Sequence, residues 1–348
     1  QFDIGLDLGL FNNRLRITTD YYKKKTTDLL YSVAVPATSG YQTMLKNIGS
    51  IENQGYELSI ESDNLTGAFS WTTAFNIAFN RNKVLELGGE EYKEMAEGDG
   101  HLKTGSVRRL IVGEPIGVFY GYRFDGIFQN EEECKQQTSS ASPIGVGLRR
   151  YKDLNGDGKV DAANDREILG DANPKFFGGL TNTFAYKGFE LNVFLQYSYG
   201  NKILNYNAME LENPTGGQNA YADMVNRWTP ENPSNIYPKA TTNRALLVSD
   251  RFIEDGSYLK LKTLSLSYSF PKINLKHIQG LRLYVTGQNL LTWTKYRGYD
   301  PEVSYRGAST LEAGEDFGGY PQSRTFMFGI KLDIKSVSYT HLRAHETG

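Results

Sequence analysis

Apolar residues recur at every second position along much of this 348-residue chain. In QFDIGLDLGL, Phe2, Ile4, Leu6, Leu8 and Leu10 share one parity, while Asp3, Gly5, Asp7 and Gly9 share the other. After the turn FNNR (11–14), Leu15, Ile17, Thr19 and Tyr21 alternate with Arg16, Thr18 and Asp20. The pattern returns at Tyr56, Leu58 and Ile60, at Trp71, Thr73, Phe75, Ile77 and Phe79, and more weakly at Phe176–Tyr186. It recurs at Phe189, Leu191, Val193, Leu195 and Tyr197, and again at Leu264, Leu266, Tyr268 and Phe270. Leu281, Leu283 and Val285 carry it further, and Phe326, Phe328, Ile330, Leu332 and Ile334 give the cleanest run. Runs of period two predict β-strands with one apolar and one polar face, nine in all here. The phase slips near Thr263, because Leu259 and Leu261 have the other parity, so a bulge is expected there.

The connections alternate between short (11–14, 64–68, 187–188, 271–280) and long (24–53, roughly 82–174, 200–256, 293–323). A soluble sandwich buries its apolar faces and mixes loop lengths at both ends. Here the face that would have to be buried against the apolar one carries Asp3, Asp7, Arg16, Asp20, Glu57 and Glu61. Unpaired burial of such groups costs several kcal/mol each. Strands of about ten residues, apolar to one side, with every second connection long, match a transmembrane antiparallel β-barrel. The short turns then lie on the periplasmic side and the long loops outside the cell. By that parity IGVFYGYRFDGIF (116–128) is an excursion from the membrane rather than a crossing, and 129–174 is extracellular.

Composition agrees. Aromatic residues make up 13% of the chain, and no apolar run is long enough for a transmembrane helix. Lys and Arg (38) nearly balance Asp and Glu (40), which argues against a nucleic-acid partner. The single cysteine, Cys134, precludes an internal disulfide and lacks the spaced partners of a zinc site. No catalytic constellation stands out, so a non-enzyme is expected. His341 and His345 have i, i+4 spacing but no third ligand, and with His101 they sit apart from any acid–base pair.

One motif carries explicit chemistry. In YKDLNGDGKVD (151–161), Asp153, Asn155, Asp157, the Lys159 carbonyl and Asp161 occupy loop positions 1, 3, 5, 7 and 9 of a calcium loop, with Gly158 at the turn. Position 12 is Asn164, and Asp165 follows as the closing carboxylate. Possible Ca2+ binding in 153–165 is therefore an expectation, with a polar loop held by Asx turns as the alternative. No helix flanks the loop, which excludes an EF-hand sensor. Among long-loop aromatics, Trp228, Trp293 and Tyr296 are candidate sugar-stacking residues, against the alternative of interface belts and loop packing.

The runs YKDLNGDGKVD, NPKFFGGL, YKGFELNVFLQYSYGN, EDGSYLKLKTLSLSYSFP, LRLYVTGQNLLTWTKYRGYDPE and YPQSRTFMFGIKLDI resemble, in this order, the C-terminal barrel of SusC/RagA-like TonB-linked outer-membrane proteins. The resemblance covers residues 1–334. It implies part of a barrel of about 22 strands with a plugged lumen, located in the cell outer membrane in contact with its lipid. It further implies coupling to the TonB complex through an N-terminal region, a SusD-like lipoprotein partner, and glycan or peptide cargo. The chain reads as a C-terminal fragment, with 335–348 (SVSYTHLRAHETG at its end) as a non-native or disordered tail. Two rival readings are a surface carbohydrate-binding β-protein and a passive porin or adhesin barrel.

Overall fold

The computed structural model describes residues 1–34, 43–95, 102, 104–213, 219–242, 246–270, 278–303, 305, 307 and 310–334. The expected tail and all four histidines (His101, His277, His341, His345) lie outside them. Nine strands form one antiparallel sheet: β1 Phe2–Leu10, β2 Leu15–Ala34, β3 Thr43–Thr66, β4 Phe69–Leu87, β5 Phe176–Tyr186, β6 Phe189–Tyr199, β7 Tyr258–Ser269, β8 Ile278–Thr294 and β9 Thr325–Ile334. Each strand pairs with the next in sequence, so the sheet is a meander. Among the described residues no helix is long and apolar enough to cross a membrane.

Register carries the apolar parity across all nine strands. One row runs Leu6, Thr19, Leu58, Ile77 and Gly178, and another runs Leu191, Leu266, Val285 and Phe328. The expected slip is a bulge, with register shifts at Phe194/Leu195 and Leu261/Thr263. The extra residue returns Leu259 and Leu261 to the face of Tyr197 and Leu195. Among the described residues nothing covers that face: Phe2 is 58% exposed and Phe328 82%. A contiguous apolar surface on this scale needs lipid.

The short turns follow from local stereochemistry. Lys187 and Gly188 have φ of +47° and +89°, the two positive values of a type I′ hairpin. A Cβ on Gly188 would come within 2.6 Å of the Ser269 carbonyl oxygen, so only glycine fits.

Two connections are shorter than the apolar pattern predicts. The segment 24–53 is largely strand: β2 and β3 pair from Leu15↔Ser62 out to Ala34↔Thr43, leaving only 35–42 between them. Beyond the apolar band both faces of a strand meet polar surroundings, as in KKKTTD (23–28). Alternation of hydrophobicity then fades while backbone pairing continues. Likewise β4 runs on to Leu87, where Val84 and Leu87 are buried against Leu110.

The remaining long connections, 88–175, 200–257 and 295–324, build a separate head. Short strands pair within it, Val118–Tyr122 with Arg166–Asp171 and Lys202–Asn205 between Ile253–Asp255 and Glu315–Asp316. The excursion expected at 116–128 thus lies in this head. Its core packs Phe119, Leu204, Tyr206, Met209, Val248 and Phe252, drawn from different connections.

Candidate functional site: the polar face and its head

The face opposite the apolar rows carries the charged residues named from the sequence. Arg16 pairs with Glu61 at 3.0 Å and Asp63 at 3.5 Å, Thr18 donates to Asp7 at 2.6 Å, and Arg282 meets Glu190 at 2.6 Å. Tyrosines lie flat over glycines of neighbouring strands, Tyr22 over Gly55 and Tyr284 over Gly329, where a Cβ would fall 2.5 and 2.0 Å from the ring. These pairs cover strand glycines that have no side chain to pack. The result is a hydrogen-bonding wall on the inward face of an outward-apolar sheet.

The head is bolted to this wall by residues the sequence reading did not single out. Lys260 of β7 is 2% exposed and places Nζ 2.5 Å from Asp300 Oδ1 and 2.6 Å from Glu302 Oε2. Lys262 reaches the same Glu302 oxygen at 2.8 Å, and Gln196 of β6 and the Tyr258 hydroxyl donate to Oε1 at 3.3 Å. Burial pushes the Glu302 carboxyl up, but Lys260 and Lys262 outweigh it and hold the group below its ordinary range. The available signal was parity, since Lys260 interrupts the apolar run of β7 on the inward side.

Deeper in the head, ion pairs join connections far apart in sequence. Arg108 and Glu315, both 2% exposed, meet at 2.9 Å; Arg108 also donates to the carbonyls of Gly117 and Ala313, and the Tyr206 hydroxyl to Glu315 at 3.3 Å. Glu212, fully buried, receives Arg251 at 2.7 Å and Arg297 at 2.9 Å, and Arg297 continues to Glu254 at 2.8 Å. Burial alone would lower the Arg297 guanidinium, yet Glu254 and Glu212 raise it on balance. Removing one member of such a pair strands a charge in a low-dielectric setting.

The loop at 153–165 folds as a hydrogen-bond circuit. Asp153 accepts from the backbone N–H of Gly156 (2.7 Å) and Gly158 (2.6 Å). Asn155 accepts from Asp157 N, and Asp157 from Lys159 N and the Asn155 amide. Asp161 accepts from Ala163 N and Asn164 N and pairs with Lys159. The Asn164 N–H, then the Lys159 side chain and the Ala163 N–H, outweigh desolvation and lower the Asp161 carboxyl. Asp165 is fully buried and clamps Leu154 N and Asp161 N, each at 2.7 Å. Among the described residues no three acidic, His or Cys side chains converge to hold a metal ion. As folded, the donor set serves the backbone, as in a stack of Asx turns.

The three aromatics named for sugar stacking do not come together. Trp293 is 52% exposed on β8 and faces outward, its cross-strand partner Leu259 lying beside Tyr197, Tyr199 and Phe176 at the edge of the apolar band. Tyr296 is 5% exposed and donates its hydroxyl to Asp316 Oδ2 at 2.5 Å; burial, then Asp316, raises its pKa. Trp228 is half-buried in the head, where Nε1 donates to Gln129 at 3.0 Å and the ring packs over Gly147. The geometry fits a belt residue and two loop-packing residues. Cys134 sits free in the short helix Glu131–Lys135, its thiol raised by burial.

No family model matches the chain. It is 41% identical to TonB-dependent receptor P3 of Formosa agariphila, with 95% of the chain aligned to 34% of that protein. It is also 29% identical to TonB-dependent receptor SusC of Bacteroides thetaiotaomicron, over 96% of the chain and 31% of that protein. A solved structure of the RagAB peptide transporter superposes with a TM-score of 0.75 at 26% identity, covering 95% of this chain and 34% of the other. The chain therefore spans about a third of the length of the curated relatives it matches.

Proposed function

Because the chain is a SusC-like TonB-dependent receptor segment, an outer-membrane β-barrel portion, we propose that the full-length protein imports oligosaccharides or other nutrients, short peptides included, across that membrane. Energy is delivered through TonB, and a SusD-like lipoprotein lids the head. The observation carrying this reading is the division of one nine-stranded sheet into an uncovered apolar face and a charged face to which the loop head is bolted. An apolar exterior seats the sheet in lipid, while a hydrogen-bonding interior suits hydroxyl-rich or peptide cargo. Catalysis has no part in the proposal, in keeping with relatives that are receptors and transporters.

The test is uptake of fluorescent oligosaccharides and peptides by cells carrying the full-length protein, with and without TonB. Import should cease without TonB and weaken without the lipoprotein. Uptake that persists undiminished without TonB points instead to a passive porin.

A second, separate proposal keeps calcium at Asp153, Asn155, Asp157, Lys159, Asp161 and Asp165, on the spacing of their oxygen donors. Binding would require Asp153 and Asp157 to exchange backbone N–H partners for the ion. Calorimetric titration of the full-length protein should give a heat that Asp153→Ala and Asp157→Ala abolish. Equal traces for all three proteins remove calcium and leave the Asx-turn staple.

A further inference from the structure

A small cavity of about 30 Å³ lies in the head, lined by Ser142, Leu148, Arg149, Tyr151, Asn213 and Thr241 among others. A water needs about 10–15 Å³ by this measure, so the space suits two waters or one carboxylate group. Its charged member is Arg149. Pairing of Arg149–Tyr151 with Phe124–Ile127 fixes the backbone there, while Arg150 turns to Asp125 (3.0 Å) and Glu133 (3.5 Å).

Arg149 differs from five other arginines of the head. Arg108, Arg109, Arg166, Arg251 and Arg297 each meet a carboxylate. Arg149 has no carboxylate within ion-pair distance among the described residues. Its Nη2 donates to the Glu212 carbonyl at a long 3.3 Å, and its buried Nε donates to nothing. The Glu212 carboxylate is already engaged by Arg251 and Arg297. Burial also presses the Arg149 guanidinium downward from its ordinary value, yet arginine stays charged in proteins. Arg149 is partly buried with an enclosed, unpartnered Nε, and a planar fork of N–H donors matches a carboxylate.

We infer that this cavity binds a small carboxylate anion, held by the Arg149 fork with the polar side chains of Ser142, Asn213 and Thr241 around it. The inference goes beyond the import reading and does not depend on it. Two sources are chemically equivalent: a free carboxylate, or one carried at the end of a peptide or acidic sugar.

The experiment uses the full-length protein in detergent, titrated calorimetrically with sodium acetate against sodium chloride at equal ionic strength. A peptide with a free C-terminus is compared with its C-terminal amide. Acetate should bind where chloride does not, and Arg149→Gln should abolish the signal. Arg149→Lys keeps the charge, and so protects folding, but replaces the fork by a point charge; affinity should fall by about 10-fold or more. Arg149-dependent binding of the free peptide but not its amide assigns the carboxylate to cargo. Acetate alone assigns it to a small resident anion. Acetate indistinguishable from chloride, or binding unchanged in Arg149→Lys, overturns the proposal.

Discussion

Replacing Glu302 by Gln isolates the contact that holds the 295–324 connection against the polar face. The substitution keeps shape but, among the described residues, leaves Lys260, 2% exposed, with Asp300 as its only carboxylate, and Lys262 with none. A charge-assisted hydrogen bond contributes roughly 1.5–3 kcal/mol, and the partly exposed Lys262 pair adds at most about 1 kcal/mol after solvent screening. The expected loss is about 3 kcal/mol, confined to local opening, because the β7–β8 ladder is untouched. Hydrogen exchange reads it directly: amides of Glu302, Tyr305 and Gln322, bonded within this connection, should exchange on the order of 100-fold faster. Those of Leu266 and Val285 in the sheet should not change.

Acidification gives the same contact a second signature. The folded Glu302 carboxyl lies below its ordinary value of 4.5, so its stabilisation is complete above that pH and is lost as pH falls through the folded value. Protection of the connection, corrected for intrinsic exchange, should decline below about pH 4.5 in the native protein. In Glu302→Gln this component should be absent. A change of less than about 3-fold in the variant, or an equal change in sheet and connection, refutes the anchoring argument.

Other consequences can be checked independently. Asp165→Asn turns one of two accepting oxygens into a donor facing a backbone N–H; it should cost about 2–4 kcal/mol and speed tryptic cleavage after Lys159, which unchanged digestion would contradict. Tyr296→Phe strips buried Asp316 of its hydroxyl donor and should cost about 1–3 kcal/mol in a denaturant melt without altering cargo affinity; the reverse outcome would make Tyr296 a cargo ligand. Gly329→Val drives a branched side chain into the Tyr284 ring and should reduce assembled barrel on a heat-modifiability gel. Adding Tyr284→Ala should restore it, and failure of that rescue would locate the clash elsewhere.

The sheet was legible because lipid imposes a hard binary pattern. Each membrane-crossing strand must place apolar side chains at every second position, so Phe2 to Leu10 or Phe326 to Ile334 declare both strand and face. Even the bulge at Leu261/Thr263 left a trace, as a change of parity. Where lipid ends, the pattern ends: nothing in KKKTTD marks the continuation of β2, since backbone pairing there needs no particular side chain. The loop motif at 153–165 was legible as a tight polar turn, but its spacing alone does not separate an Asx-turn staple from a calcium loop. Asx turns and calcium loops draw on the same acidic residues at the same spacing, and the fold decides which atoms those oxygens face. Trp228, Trp293 and Tyr296 looked alike in sequence, yet one faces lipid and two are packed inside the head.

The sequence by itself determined nine strands, their order, the face each turns to lipid and the side that bears the long connections, because alternation is a local property. Only the tertiary structure decided that three of those connections fold into one head with its own core. It also decided that Lys260 and Glu302 bolt the head to the inner wall, and that Arg149 meets no carboxylate among the described residues. Ion pairs such as Lys260–Asp300 and Arg108–Glu315 join residues 40 and 207 positions apart. A partner that far along the chain is chosen by how loops pack in space, and no period in the sequence records it.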